Sequence, residues 1–541
     1  MGKGCASKSS ALRLLSSPLA LLVVLSLISA LLYALVLRAP YPLAEGLAHP
    51  LASWATLAGF AWHAGLALIC GYALLMGYSM FALRLATRVA PQRQWALLLV
   101  IVGGWLLSSV VLLGAYPGES LDIFDYLFRG RLQVVLGISP LATPPARFAN
   151  QLFYPYVNWT TYVDTYGPLW EYASGAVAAI VGAVACDCPA SLASYVLGYR
   201  LLAIGLAGIC GLLIYTITAD RSPHHAPAAL LAWLWNPLLL TATAIGAHND
   251  MLMLLLMLMA VLLFQRQRWL LGLLALALAA HVKLTALLLL PVLGLWMARR
   301  CGWWRAIRIS GVAGALALVL SWLLYAPLGG WATLPRMLGE RVRLIANSPA
   351  FVIYWVLQSY AGWSEVAAWR VTTQAVTLLF FILAGLLLAR FWRATGDHPR
   401  PDDTLLWRGG ITVTAAFLMV GSFWIWHWYL LWVVVLAALL PTSRFTTTVL
   451  PACCAGALWM YIAADFFIRH GRAAAVIAPI DGLSEFTWIS LVAGALVLVA
   501  LWRALRLADS AGNALESLWR PQGQQHVHDQ QLAGMPVEQP K

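Results

Sequence analysis

Along this chain, apolar residues come in runs of about 20, the length a helix needs to cross a bilayer, with short polar segments between them. None of the runs shows period-two alternation, so the pattern predicts membrane helices rather than the strands of a barrel. The first, Pro18 to Val36, is too long for a signal-peptide core and lacks a small-residue cleavage site, which marks it as an uncleaved helix. Helices are expected next at 55–82 and 95–115. The longest polar interruption before residue 327 then follows, at 116–170. The expected fold is an all-α polytopic membrane protein, a bundle of about 12–16 membrane helices, some short or re-entrant, with one large loop early in the chain. Residues 1–507 form the membrane-embedded unit, and the polar tail 508–541 is expected to be a disordered cytoplasmic extension.

Composition agrees with the pattern. Of 541 residues 62% are hydrophobic and 10% charged, and the mean hydropathy of +0.80 lies outside the soluble range. The net charge of +13 would suggest nucleic acid in a soluble protein. Here the Lys and Arg residues fall in short clusters between apolar runs, as topology signals and anionic-lipid contacts do. Lys3, Lys8 and Arg13 place the N-terminus in the cytoplasm, and Arg84, Arg88 and Arg93 mark the next cytoplasmic turn, so 116–170 is read as extracytoplasmic. For the later clusters, at 265–268, 298–308, 390–408, Arg444 and 502–506, to share that cytoplasmic face, the run 269–298 must be two short helices meeting near Ala280–Lys283. The segment 226–247 must likewise break at Asn236-Pro237, since Pro removes a backbone donor and clashes with the preceding turn. Extracytoplasmic loops are then expected at 327–365 and at 465–486, the latter with Asp465, Arg469, His470, Arg472 and Asp481.

Eight cysteines are scattered through the chain, mostly in apolar segments where a free Cys behaves as a small hydrophobe. Cys186 and Cys188 share a loop, but a C-x-C pair reads as poor disulfide geometry and half a metal site. No P-loop, GxGxxG, HExxH or GxSxG occurs, which argues against a nucleotide-driven pump or a nicotinamide enzyme.

The candidate chemistry sits at the polar interruptions. In 116–170 three carboxylates, Glu119, Asp122 and Asp125, precede Arg129 and Arg131. Asp122 and Asp125 are three apart, and Arg129 lies four beyond Asp125, so on a helix these share a face. That is either an interfacial helix with paired charges, or a base kept ionised by a neighbouring guanidinium. The sequence YGPLW, from Tyr166, opens a helix with Pro168 in its first turn. His248, Asn249 and Asp250 precede an apolar run, where a carboxylate also serves as a helix cap. His281 and Lys283 interrupt an apolar stretch, and a cation at that depth costs about 2.5–3.5 kcal/mol on insertion scales, which favours a ligand-phosphate contact for Lys283. At 422–432, SFWIWHWYLLW collects Trp424, Trp426, His427, Trp428 and Tyr429, as an aromatic belt or as a sugar or polyprenyl contact.

In order, DIFDYLFRGR with GISPL, YGPLW, WNPLLLTATAIGAHND, AHVKLTALLLLP and HWYLLW resemble the GT-C class of polytopic glycosyltransferases over about residues 100–440. The resemblance is nearest to the polyprenyl-phosphate-mannose-dependent mannosyltransferases of bacterial glycolipid synthesis, including the α-1,6-mannosyltransferases of lipomannan assembly. It implies a GT-C-like bundle in the plasma membrane whose first large outer loop is catalytic. It further implies inverting transfer of a hexose, mannose by preference, from a polyprenyl-phosphate sugar to a hydroxyl of a lipid-linked or cell-surface glycan. The base would be Asp122 or Asp125, with Asp122 favoured as first in its motif, and Asp250 a second acidic position. Arg129, Arg131, Lys283 and Arg341 or Arg343 are candidates to receive the phosphate charge, and Tyr166, His248, His427 and Tyr429 to line the site. It fixes no cofactor, and the second carboxylate would either orient the acceptor or bind a divalent metal. The N-terminus departs from the family pattern by two extra helices before the loop. The competing class is a secondary transporter or lipid-carrier flippase, which would also use broken helices with ionisable residues near the midplane. Against it, no inverted halves are visible and the acids concentrate in one loop.

Overall fold

The computed structural model describes residues 17–342, 344–396 and 402–468. The basic N-terminal residues, Arg343, the Arg469–Asp481 part of the last outer loop, the cluster at 502–506 and the tail 508–541 lie outside the described residues. Among the described residues the chain is helical, with two isolated bridges and no strand. Ten helices among the described residues are long and apolar enough to cross a membrane. Pro18–Arg38, Trp62–Ala86 and Pro91–Leu113 are the first three, close to the positions the pattern predicts. Asp250–Gln265, Trp269–Ala280, Pro349–Ser359 and His427–Ala437 are shorter apolar helices, the kind the pattern leads one to expect.

Two outer helices show what the solvent is. Trp303–Leu328 and Glu365–Gly396 bury 11% and 17% of their apolar windows and leave Leu318, Val319, Leu378, Phe381 and Leu386 uncovered. In water such a stripe would associate or collapse, whereas against lipid it is the expected surface. The chain is thus an all-α polytopic membrane protein.

Both predicted breaks are present, and each has a local cause. Ala226–Leu234 and Pro237–Ile245 meet at 52°. Pro237 ends the first helix, and the Asn236 side chain caps the second by accepting from the Leu238 N–H at 2.9 Å. The 269–298 run divides into Trp269–Ala280 and Leu290–Cys301, with a 3-10 segment, Leu284–Leu289, between them. Before that segment, His281 and Val282 leave backbone carbonyls unused by any helix. The YGPLW turn takes them: the Gly167 N–H donates to the Val282 carbonyl and the Leu169 N–H to the His281 carbonyl, both at 3.0 Å. Glycine is required there, because a β-carbon on Gly167 would lie 2.1 Å from the His281 carbonyl oxygen. One helix break is thereby clamped to the start of another helix, which brings Tyr166 beside Lys283.

Candidate active site

The helix Asp122–Leu136 carries the first carboxylates, and it ends at Gly137 in a left-handed turn. Asp122 and Asp125 share its cavity face but differ in what holds them. Asp125 is 3% exposed and accepts the backbone N–H groups of Asn158 and Trp159, each at 3.2 Å. Arg129 stands 3.7 Å from both Asp125 and Asp164 and donates to the carbonyls of Trp159 and Tyr162, at 3.1 and 3.0 Å. Asp125 and Arg129 thus hold the returning loop 158–164 in place. Asp122 has a single side-chain hydrogen bond, from Trp159 Nε1 at 3.3 Å, and its side chain keeps 18% exposure. Burial pushes its carboxyl up to about 6, while the Trp159 hydrogen bond and the Lys283 charge oppose the shift. The Asp125 carboxyl is pushed further, to about 7, again by burial first and against the Arg129 charge.

Because Asp125 is a strut, Asp125→Asn is expected to act through the loop. Losing the charge that accepts from two backbone N–H groups and faces Arg129 should cost about 1–3 kcal/mol and expose 157–164 to proteolysis. A variant with unchanged protease resistance at that loop would show that Asp125 does not hold it.

Behind Asp122 lies a row of charged and aromatic groups. His248 stacks on Trp428 with ring centroids 3.8 Å apart, and its Nδ1 is 4.0 Å from Asp122 Oδ2. Burial and the charges of Lys283 and His427 hold its pKa well below the usual histidine range, so the ring is neutral. Asp250, fully buried, accepts from Lys283 Nζ at 2.7 Å and from Trp432 Nε1 at 2.6 Å. Lys283 lies 5.1 Å from the ring centroids of both Tyr166 and Tyr429, a cation over two aromatic faces. Arg341 donates to the Tyr429 hydroxyl at 2.9 Å. His427 Nε2 lies 3.2 Å from Glu119 Oε2.

These groups surround an open cavity with about 800 Å³ of empty space, mouth included. Asp122, Asp125, Arg129, Tyr166, Arg341 and Tyr429 line it, while His248, Asp250, Lys283 and His427 stand behind that lining. Arg131 is not brought there. It forms a two-pronged ion pair with Asp187 and donates to Gln151 at 3.2 Å, which makes it a brace rather than a phosphate contact. The flanking Cys186 and Cys188 are paired as a disulfide, contrary to the expectation from their spacing. His281 Nδ1 donates to the Ala277 carbonyl of its own helix at 2.7 Å. Among the described residues no group of three or more His, Cys, Asp or Glu side chains could hold a metal ion.

Sequence reasoning did not assign three residues of this wall. Glu119 was visible as the first acid of the loop, and Asp164 as the acid two residues before Tyr166, whose N–H it accepts at 2.9 Å. Trp159 has no signal beyond being a tryptophan in a polar segment, whereas Trp424 belongs to the aromatic run at 422–432. They meet with centroids 6.0 Å apart, and Trp426 continues the row to Trp428, stacked at 5.2 Å and 3°.

Two family models match parts of the chain. The family described as "Alpha-(1->6)-mannopyranosyltransferase, N-terminal domain" matches residues 21–299, and "Glycosyltransferase family 87" matches 181–421. The chain is 28% identical over 235 residues to alpha-(1->6)-mannopyranosyltransferase A of Mycobacterium tuberculosis, covering 41% of this chain and 43% of that protein. It is 27% identical over 188 residues to alpha-(1->6)-mannopyranosyltransferase A of Corynebacterium glutamicum, covering 34% of this chain and 36% of that one. The matched stretch therefore spans less than half the length of either relative. The first family match takes in the Asp122–Leu136 helix, the Tyr166 clamp, the His248–Asp250 turn and Lys283, more than half of the chain, and the chain belongs to the alpha-(1->6)-mannopyranosyltransferase family.

Proposed function

We propose that this chain is an inverting membrane mannosyltransferase that takes the sugar from a polyprenyl-phosphate carrier and transfers it to a hydroxyl of a lipid-linked or cell-surface glycan. The reaction takes place on the outer face of the plasma membrane, and both termini are cytoplasmic. The observation that carries the reading is the contrast between the two aspartates. Asp125 is committed to backbone and guanidinium, which leaves Asp122 as the one helix carboxylate free to take a proton at the cavity. One catalytic carboxylate suffices for inversion and leaves no second one to act as nucleophile.

In this mechanism Asp122 accepts the hydroxyl proton as the acceptor oxygen bonds to the anomeric carbon. The bond from that carbon to the phosphate oxygen breaks with its electron pair, and the carrier phosphate leaves with the added charge. Arg341, in the cavity wall, meets that charge directly. Lys283 acts from behind Tyr166 and Tyr429, where the low dielectric makes its field count. Arg129 keeps the loop in register. An α-linked product formed by inversion requires a β-linked donor, so the α-linked carrier sugar should not react. Transfer from the α-anomer at a rate near that of the β-anomer would rule out inversion.

The base works only when ionised, so its raised pKa sets the acid limb. The value of kcat/KM is expected to rise with pH through about 6 and level off above it. A limb near pH 4, the range of an unperturbed Asp, would assign the base elsewhere.

The tryptophan row supplies flat faces for acceptor sugars. Trp424→Ala should raise the acceptor KM about 5–10-fold, or about 1 kcal/mol, with kcat nearly unchanged. A fall in kcat alone would remove Trp424 from the acceptor path.

A further inference from the structure

Arg341 reaches the cavity from the helix Leu334–Val342. An arginine side chain carries about 2 kcal/mol of rotamer entropy, so a cation that must meet one phosphate has to be aimed. The helix is amphipathic. Met337 is buried in a small apolar cluster with Leu141, Val163, Tyr325 and Leu328, while Arg336 and Leu338 are exposed. Two hydrogen bonds tie its last turn to other parts of the chain. Glu340 Oε2 accepts the Val163 N–H at 2.7 Å, and Arg341 donates to the Tyr429 hydroxyl at 2.9 Å. Tyr429 is itself fixed, stacked on Trp432 with centroids 4.5 Å apart. Consecutive helix residues point about 100° apart, so the helix stands between two supports, the Val163 loop and the Tyr429 ring. That loop is also the one that holds the base. Trp159 donates its Nε1 to Asp122 at 3.3 Å, and Asp164 accepts the Tyr166 N–H at 2.9 Å. Residues 159–163 therefore touch the base at one end and the turn beneath the cation at the other.

We propose that Glu340 is a positioning residue: by gripping the Val163 N–H it fixes Arg341 relative to Asp122. The cation then waits where the leaving phosphate gathers charge while the base waits at the attacking hydroxyl. The inference rests on the reading that Arg341 meets that charge. Both events belong to one transition state, so the spacing between base and cation matters, and a misplacement of about 1 Å costs up to about 100-fold in rate. Glu340 does not line the cavity. It acts through its neighbour, whose Cα lies only about 3.8 Å from its own. The role calls for an accepting oxygen rather than a charge, so an amide in its place can still take the Val163 N–H. The other contact of the carboxylate, Oε1 with Arg336 Nε at 2.9 Å, is a pair between helix residues four apart with Arg336 46% exposed. Such a pair contributes about 0.3–0.5 kcal/mol, too little to aim a side chain.

The test uses the full chain in nanodiscs with β-linked polyprenyl-phosphate mannose and reads kcat and donor KM. It compares wild type with Glu340→Ala, Glu340→Gln, Arg336→Ala, Arg341→Ala and the double variant Glu340→Ala with Arg341→Ala. Arg341→Ala should lower kcat about 100-fold or more, as loss of a donor to developing charge does. Glu340→Ala should lower kcat about 10–100-fold with donor KM within about twofold, because the interaction it spoils is made in the transition state. Glu340→Gln and Arg336→Ala should both stay within about threefold of wild type. The double variant should fall no more than about twofold below Arg341→Ala, since a residue that acts through Arg341 has nothing left to position. A further loss of about tenfold in the double variant would make Glu340 a support of the loop alone and overturn the proposal. Loss in Glu340→Gln or Arg336→Ala equal to that in Glu340→Ala would overturn it too, as would wild-type kcat in Glu340→Ala. Each of these leaves the cation reading standing when Arg341→Ala is impaired. Wild-type kcat in Arg341→Ala would instead remove Arg341 from the reaction, and the proposal with it.

Discussion

Asp122→Asn is expected to lower kcat about 1,000-fold or more, within the range by which a positioned base accelerates proton transfer, while donor binding stays within about twofold of wild type. The change is nearly isosteric. The amide can still accept from Trp159 Nε1, so the hydrogen bond at 3.3 Å survives, and Asp125 and Arg129 continue to hold the loop. What disappears is the basicity. Steady-state transfer from labelled carrier, together with equilibrium binding of the unreacted donor, separates the two. Activity above about a tenth of wild type would move the base away from Asp122.

The second large effect belongs to Asp250 and Lys283. Both are buried, they meet at 2.7 Å, and Trp432 completes the carboxylate. Removing one charge strands the other in a low-dielectric setting, which costs about 3–5 kcal/mol. Asp250→Asn should accordingly lower the thermal unfolding midpoint in detergent and abolish transfer. The paired variant Asp250→Asn with Lys283→Met has no stranded charge and should regain most of the lost stability. It should not regain activity, because the cation proposed to face the departing phosphate through Tyr166 and Tyr429 is gone. Recovery of both together would make Lys283 a structural residue only.

The sequence made the breaks legible because they have local causes. Asn236-Pro237 cannot continue a helix, and Lys283 is costly inside one. The shared face of Asp122, Asp125 and Arg129 followed from helical spacing alone. Spacing also held a clue about Arg131 that went unused: at about 100° per residue, two residues past Arg129 points to the far side of the helix, where Asp187 waits. What spacing could not supply was the division of labour between the aspartates. It is decided by the backbone of Asn158 and Trp159, which returns from 33 and 34 residues away to occupy Asp125. The Glu119–His427 and Arg341–Tyr429 contacts join residues 308 and 88 apart, and no local pattern announces them. The disulfide at Cys186 and Cys188 was missed because geometry was judged from the spacing, while a turn between two helices sets where the two side chains point.

The central claim concerns the donor, and one measurement addresses it directly. Purified chain in lipid nanodiscs is given a mannan-type glycolipid acceptor and radiolabelled mannose, carried in parallel reactions on β-linked polyprenyl phosphate and on a nucleotide. The cavity offers Asp122 and cations at a membrane helix bundle, so label is expected in the glycolipid from the polyprenyl carrier only, and not with Asp122→Asn. Label from the nucleotide sugar, or from neither donor, would contradict it.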